Sequence, residues 1–454
     1  MEVSLNSQKD LKRWLALGLK AAYLSVLCVF LLASVQFILD LFRRHELMVN
    51  YHGDQLEFSD FLAFYMLGQI AVGPDAHRLY EPATQLAYFN RLLAPYSVDK
   101  PFFAECVPFV SVLMIPFTWL RPENAYLMWL GLTVVFGMGA LFLWLRRERS
   151  LNLLQVGTVL LATAASFPGL LSLRMGQQGW NVMGLVSLFW WGFCSGKDFM
   201  AALGLALLSF KPQYVFFFAI AALVSRRWKL MLWAILIEAI LLCVSGTVVG
   251  WQNVLLYPQM VLHADTTSDY YGVNEHKMVS MRVLTTLLLP RQSALLAALV
   301  IMLVGLLATS LIWWKTVRAR LTSGYEQRWA IALTVILCLI CSPHAHCYDL
   351  MMLAALAFTL APQAGKQQPL SLPPAGRDGT ASRLPPFAYS WWCICLCLYP
   401  VATWVVLLGA AIGNSVPFLA ILLVNCLMFC FALALWKAEL GQRKEISAVA
   451  LAEQ

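Results

Sequence analysis

Apolar stretches of about twenty residues alternate along this chain with short polar breaks, and that rhythm sets the expected architecture. A helix needs roughly 20 apolar residues to cross a bilayer. Such stretches fall near 14–40, 103–120, 124–145, 151–171, 179–195, 199–223, 229–249, 293–314, 327–342, 347–361, 387–410 and 415–436. They predict an all-α polytopic membrane protein of about 12 transmembrane helices with both termini in the cytoplasm. The first stretch, 14–42, is far longer than the ~7–15 apolar residues of a signal-peptide core, so it is expected to remain as a helix.

Three polar interruptions break the rhythm. The first outer loop, 43–102, carries Asp54, Glu57, Asp60, Asp75, His77 and Asp99. Within it FLAFYMLGQIAV and ATQLAYFNRLLAPY read as short amphipathic helices lying on the membrane. The second outer loop, 251–290, contains HADTTSDYYGVNEHK. The third interruption, 362–386, is rich in Pro, Gly and Gln and reads as a flexible cytoplasmic linker. It divides a transmembrane core, 1–361, from a C-terminal transmembrane pair and cytoplasmic tail, 387–454.

Composition agrees with the pattern. The chain is 60% hydrophobic and 12% charged, whereas soluble domains are nearer a quarter charged. Its net charge of +8 is concentrated in runs such as Arg146-Arg147-Glu148-Arg149, Arg226-Arg227-Trp228-Lys229 and Arg318-Ala319-Arg320. These flank apolar segments, as cytoplasmic anchors do, and make no nucleic-acid surface. The twelve cysteines lie mostly inside apolar runs and form neither a disulfide framework nor a zinc pattern.

The charge rule leaves one choice open. If 103–120 and 124–145 both cross, the run at Arg146 falls outside, against the positive-inside rule. If 103–145 crosses once, that run is inside and Arg174 to Gln178 lies outside. The count is then restored only if the chain turns back as two half-helices at Lys211-Pro212.

Several residues carry possible chemistry. A lysine inside an apolar span costs about 2.5–3.5 kcal/mol and calls for a partner or a wet cavity, so Lys211 beside Pro212 reads either as a cation aimed at an anionic ligand or as a snorkelling side chain. The break Arg174-Met175-Gly176-Gln177-Gln178-Gly179 is either an ordinary turn or the lining of a polar cavity. In SPHAHCYD, His344, His346 and Tyr348 stand between two apolar segments; residues two apart do not share a helix face, so a metal site is not expected there. Asp60 heads an aromatic-rich run containing Tyr65, at the water–lipid boundary. A carboxylate so placed suits a general base for a hydroxyl whose electrophile arrives from the bilayer, with Asp54 as its rival.

In their order along the chain, DFLAFYMLGQ, RLYEP, VPFVSVLMIP, MGQQGWNVMGLV, AALGLALLSFKPQ and SPHAHCYDLMML resemble glycosyltransferase family 87. The resemblance runs from Asp60 to about Leu353. Members are polyprenyl-phosphate-mannose-dependent alpha-mannosyltransferases of the glycosyltransferase-C superfamily. It implies a glycosyltransferase-C-like bundle in the cytoplasmic membrane whose active site faces the exterior. Asp60 then matches the family's loop acid and serves as general base, Gln177 matches a Gly-Gln motif, and Lys211 a Lys-Pro motif. Lys211, Arg174, Arg282, His344 and His346 are the groups expected to bind the donor phosphate, and Gln177, Tyr65, Tyr80 and Tyr348 those expected to line the substrate cavity. The implied partners are a polyprenyl-phosphate-linked sugar, a glycolipid or glycan acceptor, and membrane lipid. No cofactor is implied, although outer acids leave room for a divalent cation. The competing function is a transporter or flippase of lipid-linked sugars.

Overall fold

The structure, a computed structural model, describes residues 2–43, 48–52, 55–100, 106–147, 151–266, 275–321, 323, 326–360, 386–408 and 416–452. It is helical apart from one antiparallel hairpin, β1 (Val49–His52) and β2 (Gln55–Phe58), paired in the register Val49 with Phe58. A long α1 (Glu2–Arg43) precedes the hairpin. After it come α2 (Phe61–Val72), α3 (Pro82–Leu93), α4 (Pro108–Met114), α5 (Pro122–Arg147), α6 (Leu153–Ala164), α7 (Phe167–Met175) and α8 (Gly179–Ser195). Then follow α9 (Asp198–Leu207), α10 (Pro212–Val224), α11 (Trp228–Val249), α12 (Trp251–Thr266), α13 (Met281–Leu288), α14 (Arg291–Arg318) and α15 (Arg328–Cys341). A 3-10 helix, Cys347–Leu360, leads towards the C-terminal helices α16 (Pro386–Leu408) and α17 (Val416–Ala452).

Among the described residues five helices are long and apolar enough to cross a bilayer unaided: Leu17–Arg43 of α1, α5, α11, α14 and Val416–Gly441 of α17. The bent pair α6–α7, 52° at its break, makes a sixth. Of residues 103–120, expected as a span, the described ones, 106–120, hold only the seven-residue α4 and the five-residue turn Ile115–Trp119. Prolines at 108, 116 and 122 keep those pieces short, because each lacks the amide that a continuing helix would use. Of the region 103–145, therefore, only α5 runs the length of the bundle.

Residues 199–223 also depart from a single span. Arg227 donates from Nε to Asp198 at 3.0 Å and from a terminal nitrogen to the same oxygen, and its Nη1 reaches the Phe193 carbonyl at 2.9 Å. A straight helix from 198 to 227 would hold those residues about 40 Å apart at 1.5 Å per residue. The chain must reverse between them, and it does so at Lys211, where the 3-10 turn Leu208–Phe210 ends and Pro212 starts α10. This is the re-entrant alternative of the two that the charge pattern allowed. Each arm has a length of about 20 Å, against ~30 Å of bilayer hydrocarbon, so Lys211 lies recessed within the bundle.

The same contacts define two ends. At the basic end Arg147 closes α5 onto α8, its Nη2 donating to the Cys194 carbonyl at 2.6 Å and its Nε to the Ser195 hydroxyl at 3.1 Å. Trp190 of α8 stacks on Trp313 near the end of α14, with ring centroids 5.8 Å apart. Arg328, opening α15, pairs with Glu439 of α17 at 3.2 Å. The other end gathers the N-terminus of α2, the turn 174–179, the Lys211 tip and the loop 342–346. The 3-10 helix connects the two ends: Cys347 begins at the loop, while Trp144 of α5 donates to the Ala355 carbonyl at 2.8 Å. Its 14 residues, rising ~2.0 Å each, reach about 28 Å, where an α-helix of that length would fall short of a bilayer.

Two further expectations meet the coordinates. FLAFYMLGQIAV, expected on the membrane surface, is α2, and residues Phe61 through Leu67 are all buried. Apolar side chains point in every direction around this helix, which marks a core helix rather than an interfacial one. The C-terminal helices are docked on the core: Trp392 donates to the Thr359 hydroxyl at 2.8 Å, Trp404 to the Ala165 carbonyl at 2.7 Å, and Tyr23 of α1 to the Cys397 carbonyl at 2.7 Å. Of the expected linker 362–386, all but Pro386, which opens α16, lies outside the described residues.

Candidate active site

The site is built around the turn between α7 and α8. Ser166 caps the start of α7 by accepting from the Gly169 amide, and α7 stops at Gly176, whose φ is +64°. A β-carbon there would meet the Phe61 Cβ at 2.5 Å and the Tyr126 ring at 2.6 Å, so the left-handed, crowded position requires glycine. A β-carbon on Gly179 would meet the Tyr348 carbonyl oxygen at 2.5 Å. The turn is thus wedged between the start of α2 and the residues following the histidine loop.

Hydrogen bonds fix it there. Ser59 Oγ donates to the Met175 carbonyl at 2.8 Å, Tyr126 Oη to the Leu173 carbonyl at 2.5 Å, and Trp129 Nε1 to the Gly176 carbonyl at 2.9 Å. As a result Gln177 Nε2 donates to Asp60 Oδ2 at 2.5 Å, across 117 residues of sequence. Asp60 is half-buried and stands at the N-cap of α2, where the helix dipole favours a negative charge. The Gln177 amide therefore holds the Asp60 carboxylate in a set orientation beside a helix N-terminus.

The second feature lies at the Lys211 tip. Lys211 Nζ is 2.6 Å from Asp349 Oδ1, and Asp349 Oδ2 accepts from the His346 amide at 2.9 Å. Asp349 is fully buried, and 15% of the Lys211 side chain is exposed. The ammonium lies 4.6 Å from the centre of the Tyr348 ring and 5.7 Å from that of Tyr214. Gln213 Nε2 and Tyr214 Oη both donate to the His344 carbonyl at 3.0 Å, so the tip is clamped to the loop independently of the ion pair. The segment leading into α13 joins from the side, its Val279 amide donating to the Ala345 carbonyl at 2.8 Å.

The predicted residues fall into groups. Asp60 and Gln177 are in contact, and the turn that carries Gln177 also touches Tyr348, which lies under Lys211. Arg174 is half-buried at the end of α7. His344 and His346 are half-buried in the loop, 6.3 Å apart between ring centroids, and His346 stacks on Tyr348 at 5.4 Å. Packing around His346, then His344, Lys211 and Lys277, push its pKa down to about 3, so at neutral pH it is an uncharged donor or acceptor rather than a cation. Arg282 is fully buried in α13. Tyr65 and Tyr80 are buried too, their hydroxyls donating to the carbonyls of Leu120 at 2.9 Å and Cys106 at 2.6 Å. Each hydroxyl thus ties its segment to the backbone flanking α4 and the turn that follows it. Asp54 lies outside the described residues.

Two participants were missed. Asp349 is the partner that a lysine at this depth calls for, and the acid that closes SPHAHCYD was its signal. Lys277 is exposed within electrostatic reach of His346, and nothing in its local sequence marks it. Among the described residues no three His, Cys, Asp or Glu side chains gather as metal ligands would.

The sequence model of glycosyltransferase family 87 matches residues 107–343, just over half of the chain. Arg174, Gln177, Lys211 and Arg282 lie within the match, while Asp60 and Asp349 lie outside it. No curated protein matches the sequence.

Proposed function

The chain belongs to glycosyltransferase family 87 and is a membrane glycosyltransferase, and we propose that it moves mannose from a polyprenyl-phosphate carrier to a glycolipid or envelope glycan. The reading rests on one observation above all: Asp60, oriented by Gln177, sits at the end of the bundle opposite the arginine clusters. Basic residues anchor the cytoplasmic side of membrane proteins. On that rule Asp60 and the Lys211 tip face the exterior of the cytoplasmic membrane, in a glycosyltransferase-C-like bundle.

The chemistry then follows from charge. Asp60 takes the proton of the acceptor hydroxyl while its oxygen forms the new bond to the anomeric carbon. The bond from that carbon to the phosphate oxygen breaks with its electron pair, and polyprenyl phosphate leaves with one more negative charge than it had in the donor. Arg174 and Lys211 stabilise that charge, and His344 or the neutral His346 supplies a hydrogen bond. A single displacement from the face opposite the leaving group inverts the anomeric configuration, so a beta-linked donor gives an alpha-linked product.

The broken pair α9–α10 also suits a transporter of lipid-linked sugars, since transporters bind their cargo at such breaks. Purified protein incubated with tritiated polyprenyl-phosphate mannose and a membrane-lipid extract separates the two functions. Label in a new glycosidic product is the expected result. Movement of the carrier across a vesicle with no new glycosidic bond would give the protein to the transporter class.

A further inference from the structure

Resting on the carrier-phosphate reading above, we propose that Asp349 is a positioning residue that competes with that phosphate for Lys211 and thereby lets the spent carrier leave. The two ends of its carboxylate have different tasks. Oδ2 is fixed on the His346 amide at 2.9 Å, which orients the group, and Oδ1 takes the Lys211 ammonium at 2.6 Å. The acid is wholly buried, whereas the lysine retains 15% exposure, so the lysine is the partner able to turn towards an incoming ligand.

The reaction creates a reason for such competition. The donor is a phosphodiester with one negative charge, whereas the product is a phosphomonoester carrying about −1.5 to −2 at neutral pH. An ammonium without a competing carboxylate would hold the product more tightly than the donor, and turnover would stall on release. With Asp349 alongside, Lys211 can lean towards the phosphate as charge develops and return to the carboxylate afterwards. The tip itself stays in place during this exchange, because Gln213 and Tyr214 hold it to the His344 carbonyl.

Equilibrium binding of farnesyl phosphate, a short polyprenyl monophosphate, to the purified full-length protein tests this without relying on turnover. Asp349→Asn keeps the size of the side chain and the Gln213 and Tyr214 bonds. It is expected to bind farnesyl phosphate at least about tenfold more tightly than the wild type. Its mannosyl transfer should also be inhibited by correspondingly less farnesyl phosphate, and Asp349→Glu should restore wild-type affinity. Should Asp349→Asn fail to fold, the double variant Lys211→Met with Asp349→Leu removes both charges together. That protein should bind the probe at least about tenfold more weakly than the wild type, and equal binding overturns the role of the pair. A wild type that binds while a folded Asp349→Asn binds no more tightly also overturns it, leaving the carrier reading intact. No binding by either protein overturns both.

Discussion

The two ends of the bundle use the same kinds of charged residue in opposite ways. At the basic end, arginines act on the backbone: Arg147 takes the Cys194 carbonyl and Arg227 the Phe193 carbonyl, closing the C-terminus of α8. Arg227 pairs with Asp198 while both side chains keep about a quarter of their exposure, at 26% and 22%. At the other end the contacts join distant segments, the Asp60 carboxylate with the Gln177 amide and Lys211 with a fully buried Asp349; the basic end holds a buried pair of its own, Arg328 with Glu439. Charges that bond to helix ends near water stabilise the fold at modest cost. Charges held against one another away from water keep their desolvation cost, which the Lys211–Asp349 pair bears beside the candidate site and the Arg328–Glu439 pair at the basic end.

That contrast can be broken first at Asp60. Asp60→Asn keeps the shape and the helix N-terminus but removes the base, and transfer is expected to fall by about 10³-fold or more with an unchanged melting temperature. Wild-type turnover by this variant would transfer the role to Asp54. Gln177→Ala removes the group that orients the carboxylate and should lower kcat by about 10–100-fold with little change in KM for the donor. If KM rises instead while kcat holds, Gln177 binds substrate and does not orient the base.

Arg227→Ala probes the opposite end. It should leave kcat within about threefold and cost about 1–3 kcal/mol of stability, seen as a lower melting temperature in detergent, since hydrogen bonds to charged groups carry that weight. A large kcat loss without destabilisation would show that the basic end takes part in transfer.

A further prediction concerns the pH dependence of stability through His346. Its folded pKa lies near 3 and its unfolded value near 6.5, so between these the unfolded chain binds a proton that the folded chain refuses. The stability present above about pH 6.5 is therefore lost progressively as pH falls towards 3. Melting temperatures should drop from pH 7 to pH 4, and less steeply in His346→Gln. An unchanged slope in that variant would place the titration elsewhere.

Much of the fold was legible in the sequence because a bilayer imposes one length on apolar segments. The membrane-capable helices α5, α11, α14 and the apolar part of α17 all coincide with apolar runs. Two errors came from reading runs one at a time. Residues 103–120 are apolar enough for a span, yet Pro108 and Pro116 divide them, and FLAFYMLGQIAV was placed on the surface although its apolar residues surround the helix on all sides. The charge pattern did allow the reversal at Lys211, but only the Arg227–Asp198 pair selects it.

The candidate site was legible in its residue types and not in its pairings. Lys211 announced that it needed a partner, because a lone ammonium is costly at that depth. Which acid supplies it depends on a helix hairpin meeting a loop 138 residues away, and no local pattern encodes that. Tyr65 and Tyr80 looked like cavity residues because they stand in recognisable motifs. Their hydroxyls are bound to the backbone instead, as buried tyrosines usually are.

On the proposed function, sugar transfer takes place between Asp60 and the Lys211 tip. A cryo-electron microscopy structure of Asp60→Asn with polyprenyl-phosphate mannose bound tests it most directly. The predicted result has the phosphate within hydrogen-bond distance of Lys211 or Arg174 and the anomeric carbon between that phosphate and residue 60. A carrier phosphate seated among the arginines at the end of α8, or a sugar pointing away from residue 60, would contradict it.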